Sequence, residues 1–214
     1  QNFPEQMSER EKTQWKNRVL EALQVGAAAT LTHRQTPHVE AALALSLSRN
    51  ENAAVKGPLC VFYGRIARHA EGVARLKLIA ETSAGRVQES AIIGLGKSRQ
   101  LAAFHALEAM LTQSSDAHIQ KAALNAMGHL ANRAARKAKP MQDDAVLQAK
   151  VKQALVSRID KPQELPYEKI ALTSLTLVLN INELDSTPAL FAQMRARKQV
   201  APVLSRLQKR ALLK

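Results

Sequence analysis

The chain is 214 residues long, ample for one compact domain or for five or six helical hairpins, and beyond the length at which disulfide or metal staples become necessary. Hydrophobic residues make up 46% of it and aromatics only 3%, so the apolar mass is Ala and Leu, which favours helix and leaves little to build a sheet. The formal net charge of +13 brings an anionic partner into consideration, the single cysteine excludes an internal disulfide or a cysteine-based zinc site, and no apolar run reaches the length of a membrane span.

In chain order, residues 1–12 carry no recurring pattern and read as an N-terminal extension. A first hairpin is expected over 15–50, from "WKNRVLEALQVGAAA" and "TPHVEAALALSLSRN", with Thr36 and Pro37 as cap and first-turn pair. The clearest signal follows. "VKGPLCVFYG", "VQESAIIGLG" and "IQKAALNAMG" begin 32 residues apart at Val55, Val87 and Ile119, and each ends on a glycine: Gly64, Gly96, Gly128. Apolar residues hold the first, sixth and ninth places of all three, the mark of an internal repeat. Each glycine is expected to end the first helix of a hairpin, in a left-handed conformation or at a close helix approach.

The second helices, "RHAEGVARLKLIAET" and "RQLAAFHALEAMLTQ", superimpose after a shift of 31 or 32, with Leu78 and Ile79 set against Met110 and Leu111. These elements define hairpins over 55–82 and 86–113, with Asp116 as a cap for the next helix. A fourth hairpin over 118–160 has a long second helix that starts after Pro140, with Asp143 and Asp144 in its first turn, where they favour the helix dipole. A fifth, 166–198, starts at Pro166 and restarts at Ser186, Thr187 and Pro188. Residues 200–214, "VAPVLSRLQKRALLK" after Gln199, form an amphipathic capping helix.

The textures "AIIGLGKSRQLAAFHALEAML" and "AALNAMGHLA" resemble HEAT-like repeats, in particular the short subclass first described in phycobilisome lyases, whose first helix ends in a Leu-Gly pair. The resemblance covers residues 55–131 best, extends to 15–50 and 140–198, and is absent from 1–12. It implies an all-α fold: a right-handed α-α superhelix, or HEAT-like solenoid, of about five helical hairpins plus the C-terminal capping helix, in a single domain. A lyase-type chemistry, attaching a chromophore to a partner's cysteine, would be implied by the name of the subclass but has no support in the residues beyond the repeat texture.

No catalytic constellation is legible. Cys60 stands at the apolar sixth place, matched by Ile92 and Leu124, and reads as an inert core thiol. His105 and Glu108 are three residues apart, two ligands at most, and no H-E-x-x-H occurs, so no metal and no cofactor are expected. "GLGKSRQ" closes a helix instead of following a strand and is not a phosphate loop. Glycosylase chemistry needs aromatics around an extruded base, and Trp15, Tyr63 and Tyr167 are too scattered for that.

The reading is therefore a non-catalytic protein-interaction or scaffold module with an extended curved surface, whose partner is another protein with an acidic surface. The expected contact residues are Arg68, Arg75, Arg99 and His105 on the second helices and Arg195, Arg197, Lys198, Arg206, Lys209 and Arg210 near the C-terminus. The last 29 residues have seven basic side chains and no acidic one. Binding to the phosphate backbone of nucleic acid, through "NRAARKAK" at 132–139 and that C-terminal cluster, is the alternative. Because the chain opens on Gln1 and not Met, a preceding segment is expected to have been removed, which leaves cytoplasmic and exported locations both open.

Overall fold

In a computed structural model the described residues are 8–11, 13–14, 36–49, 52–67, 69–132, 141–159 and 165–178, and among them all regular structure is helical. The helices are α1 (Thr36–Arg49), α2 (Ala53–Ile66), α3 (Ala70–Thr82), α4 (Gly85–Ser98), α5 (Leu101–Gln113), α6 (Ala117–Leu130), α7 (Asp144–Ile159) and α8 (Leu165–Val178). The expected helices over 15–29, 186–198 and 200–214 lie outside the described residues.

Local chemistry sets the helix starts. The Asn52 side chain accepts the Ala54 N–H at 3.0 Å, and Asp116 accepts the His118 N–H at 2.7 Å, each satisfying a donor left over at a helix N-terminus. Ser8 and Glu11 form a reciprocal pair of the same kind. The Glu11 carboxylate accepts the Ser8 N–H at 2.9 Å while the Ser8 hydroxyl accepts the Glu11 N–H at 3.3 Å; the Ser8 hydroxyl and N–H hold the Glu11 carboxyl below its ordinary pKa. The "SERE" spacing at 8–11 carries that signal in the sequence.

The chain divides into two compact units, Gln1–Ser98 and Arg99–Lys214. In the first, α2 packs on α4, α3 on α4, and α1 on α2. In the second, α6 packs on α8, α5 on α6, and α7 on α8. Both units follow one scheme: first helices of successive hairpins lie against each other, and each second helix lies against the first helix that follows it.

The face that makes these contacts is the same in four helices. Leu59, Ala91, Ala123 and Ala171 are buried; so are Cys60, Ile92, Leu124 and Leu172, and then Tyr63, Leu95, Met127 and Leu175. The α2, α4 and α6 members are 32 residues apart, whereas α8 follows α6 by 48, so the face persists although the spacing does not. Full burial of a Leu or Ile side chain contributes about 1.5–3 kcal/mol, and the second helices extend this buried set with Leu76, Ile79, Leu107, Leu111, Leu147 and Leu155.

The second helices keep a different count. α2, α4 and α6 start 32 residues apart, but α3 and α5 start 31 apart. The turn from α4 to α5 is one residue shorter than that from α2 to α3, and it is made by Arg99 in the left-handed region, at φ 56°. The link Ser114–Asp116 then restores the count. The buried pair Ile79 and Ala80 therefore matches Met110 and Leu111, while Leu78, expected opposite Met110, is 58% exposed.

Gly64 and Gly128 act through close approach, and neither they nor Gly96 form a left-handed cap. Gly64, Gly96 and Gly128 are each the third residue from the end of a helix, and among the described residues only Gly85 and Arg99 have positive φ. A Cβ on Gly64 would run into the Gly94 carbonyl, with Gly94 Cα at 2.7 Å; one on Gly94 would lie 2.5 Å from the Cys60 carbonyl oxygen and 3.2 Å from Leu76 Cδ2. In the second unit a Cβ on Gly128 would lie 2.7 Å from both Cα and Cβ of Ser174 in α8. The approaching element is the next first helix, not the second helix of the same hairpin. Gly64→Ala is accordingly expected to lose about 2–3 kcal/mol through overpacking, in spite of the roughly 1 kcal/mol by which Ala is the better helix former. Gly57→Ala, whose Cβ would lie 3.0 Å from the Ser90 hydroxyl and at ordinary contact distance, 3.9 Å, from the nearest backbone atom, should change stability by less than about 1 kcal/mol. Urea unfolding of both variants checks this, and equal losses would refute the backbone contact.

Candidate functional site

Between α1 and α3, over α2, the first unit has an open cleft of about 580 Å³. On α1 its wall is Glu40, Ala41, Ala44, Leu45 and Ser48, which share one helical face at three- and four-residue spacing. Tyr63 of α2 forms the floor, and His69, Glu71 and Arg75 line the opposite side. Glu71 and Arg75 are one turn apart on α3, and Leu78 continues their stripe along the same exposed face.

Tyr63 joins the core to this cleft. Its side chain is buried at the place that Leu95 and Met127 occupy in the later hairpins, but its hydroxyl reaches the cleft beside Gly72, within the electrostatic influence of Arg75 and Glu40. Arg75 donates from Nη1 to the Ala44 carbonyl at 3.4 Å, tying α3 to α1. Gly72 leaves the space in which these groups meet: a Cβ there would lie 3.1 Å from Glu40 Oε1 and 3.4 Å from the Tyr63 hydroxyl. Burial, with the Glu40 charge next, pushes the Tyr63 phenol above its ordinary pKa, while Arg75 works in the opposite direction. At neutral pH the hydroxyl is therefore intact, both donor and acceptor.

Of the residues expected to make contacts, Arg75 is on this cleft in the first unit. Arg99 and His105 belong to the second unit. Arg99 is turned inward: its Nη2 lies 2.7 Å from both Asp144 carboxylate oxygens, with side-chain exposures of only 11% and 14%. Asp144 also accepts the Met141 N–H at 2.7 Å, so one carboxylate fixes the start of α7 and holds it to the residue that opens α5. His105 is exposed, with Nδ1 3.8 Å from Glu108 and its ring edge-on to Phe104 at 5.4 Å. Phe104 in turn lies under Lys150 of α7, 5.9 Å from the ammonium. Arg68, Arg195, Arg197, Lys198, Arg206, Lys209 and Arg210 lie outside the described residues.

Sequence reasoning placed Tyr63 in the core and overlooked Glu40 and Glu71. The available signals were a hydroxyl-bearing ring at an otherwise aliphatic place and an oppositely charged pair at i and i+4 on an exposed helix face. Among the described residues no three His, Cys, Asp or Glu side chains gather closely enough to hold a metal ion.

Cys60 is fully buried, and desolvation pushes its thiol up to about 11, against a smaller opposing pull from Lys56. Compared with protein-family models, with curated proteins and with solved structures, the chain has no match in any of the three.

Two outcomes follow for these side chains. Asp144→Asn removes the partner of a mostly buried guanidinium and should cost roughly 2–4 kcal/mol, seen as a lower urea midpoint. The native protein should not react through Cys60 with a thiol-specific disulfide reagent at pH 8, and should react fully once unfolded. Because the folded thiol keeps its proton to about pH 11 while the unfolded one loses it near 9, stability should fall as pH rises through that window.

Proposed function

We propose that this chain is a non-catalytic protein-interaction module built from HEAT-like helical hairpins stacked as a right-handed solenoid, and that the cleft between α1 and α3 is its docking surface. The observation that carries this reading is the cleft itself. It lies between two second helices, has an apolar wall at Ala41, Ala44 and Leu45, and holds a few fixed polar groups on the other side. Leu45, on the cleft wall, is 49% exposed and offers an aliphatic side chain for a partner to cover.

The recurring contact scheme supports the stacked-hairpin part of the reading. Repeat proteins join each unit to the next through a shared apolar seam and bind with the helices left outside that seam. The Arg75 guanidinium is tied to the Ala44 carbonyl, an arrangement suited to bracing a recognition surface and not to acid–base chemistry. The phosphate-backbone alternative rests on net charge alone, and the two carboxylates of the cleft would repel a phosphate.

A photo-crosslinking side chain at Ser48 on the cleft wall, compared with one at exposed Asn125, tests this in host extract. Expected is a discrete protein adduct from position 48 alone, resistant to nuclease and lost when Ala44→Trp fills the cleft. Adducts of equal yield from both positions, or retention that nuclease abolishes, would overturn the reading.

A further inference from the structure

We infer that Arg99 is a strained turn residue latched by Asp144, so that the turn before α5 keeps its left-handed form only while the first turn of α7 is docked against it. Among the described residues Arg99 is the one non-glycine residue with positive φ, at 56°. A Cβ in that region is disfavoured by roughly five- to thirtyfold, and glycine, as at Gly85, is the residue that fits without strain. The turn still demands the conformation, because Arg99 and Gln100 alone join the end of α4 at Ser98 to the start of α5 at Leu101.

What selects arginine over glycine stands 45 residues further along the chain. Arg99 Nη2 donates to both Asp144 carboxylate oxygens at 2.7 Å, and the two side chains are only 11% and 14% exposed. A charge-assisted pair so shielded from water holds far better than an exposed one, and a strained backbone conformer persists where its surroundings over-determine it. The same carboxylate accepts the Met141 N–H at 2.7 Å, so the group that starts α7 is also the group that fixes the turn. One turn into α5, Phe104 lies 5.9 Å from the ammonium of Lys150, again on α7. The opening turn of α5 is thus held to α7 at two points. With the latch released, Arg99 relaxes toward negative φ and that opening turn frays.

Amide hydrogen exchange in the full chain tests this. The Ala103 and Phe104 N–H groups, bonded to the Gln100 carbonyl at 3.0 and 3.3 Å, report on the opening turn of α5, with Leu124 and Met127 in α6 as the reference. Asp144→Asn leaves a side-chain oxygen to accept the Met141 N–H but removes the charge. It should speed exchange at 103 and 104 about tenfold more than at 124 and 127. Adding Arg99→Gly, which takes positive φ without a latch, should return 103 and 104 to within about threefold of the native protein. Independently, with Asp144 retained, Arg99→Gly should have a folding equilibrium constant about fivefold or more above that of Arg99→Ala, the reverse of their order inside a helix. Uniform acceleration in Asp144→Asn, failure of glycine to restore protection, or Arg99→Ala as stable as Arg99→Gly would each overturn the inference. If Asp144→Asn does not fold, the comparison of glycine with alanine at position 99 decides alone.

Discussion

Everything in this structure depends on helices that touch through backbone. At the α2–α4 crossing Gly64 and Gly94 meet with no side chain between them, and at the α6–α8 crossing Gly128 faces Ser174. Such contact requires small residues at the crossing point and transfers the burden of cohesion to the aliphatic side chains on either side of it. This explains a composition rich in Ala and nearly free of aromatics: large rings would hold the first helices apart, and Cys60, Ala91, Ala123 and Ala171 are what fits when they are close.

The same economy explains what was legible in the sequence. The period of 32 exposed the buried face of α2, α4 and α6 because identical surroundings demand similar residues, so Cys60, Ile92 and Leu124 could be placed in the core by alignment to one another. α8 was harder. Its equivalence to α6 appears only at a spacing of 48, where Ala123, Leu124, Met127 and Leu130 align with Ala171, Leu172, Leu175 and Val178. A fixed-period search misses an offset that a longer connector introduces. The second helices were misplaced by one residue for a related reason: the left-handed turn at Arg99 shortens the connector, and nothing in "KSRQ" announces a positive φ on an arginine.

The cleft was the least legible part. Glu40, Tyr63, Glu71 and Arg75 come from three helices, and periodicity describes each helix against its own neighbours without saying which polar groups converge. Tyr63 illustrates the difficulty. Its position in the repeat assigns its ring correctly to the core, while the one atom by which it differs from phenylalanine reaches the cleft. Arg99 is the converse: by charge it looked available, and by geometry it is part of the internal scaffold of the second unit.

The turn at Arg99 also bears on how such a chain tolerates change. A connector one residue short is followed by one that is a residue long, and the buried stripe of α6 resumes in phase. Further on, α8 stands 48 residues after α6 with no such compensation, and its buried stripe is the same. What the packing holds fixed is the aliphatic ladder on the first helices, and the length of chain between its rungs is free to vary.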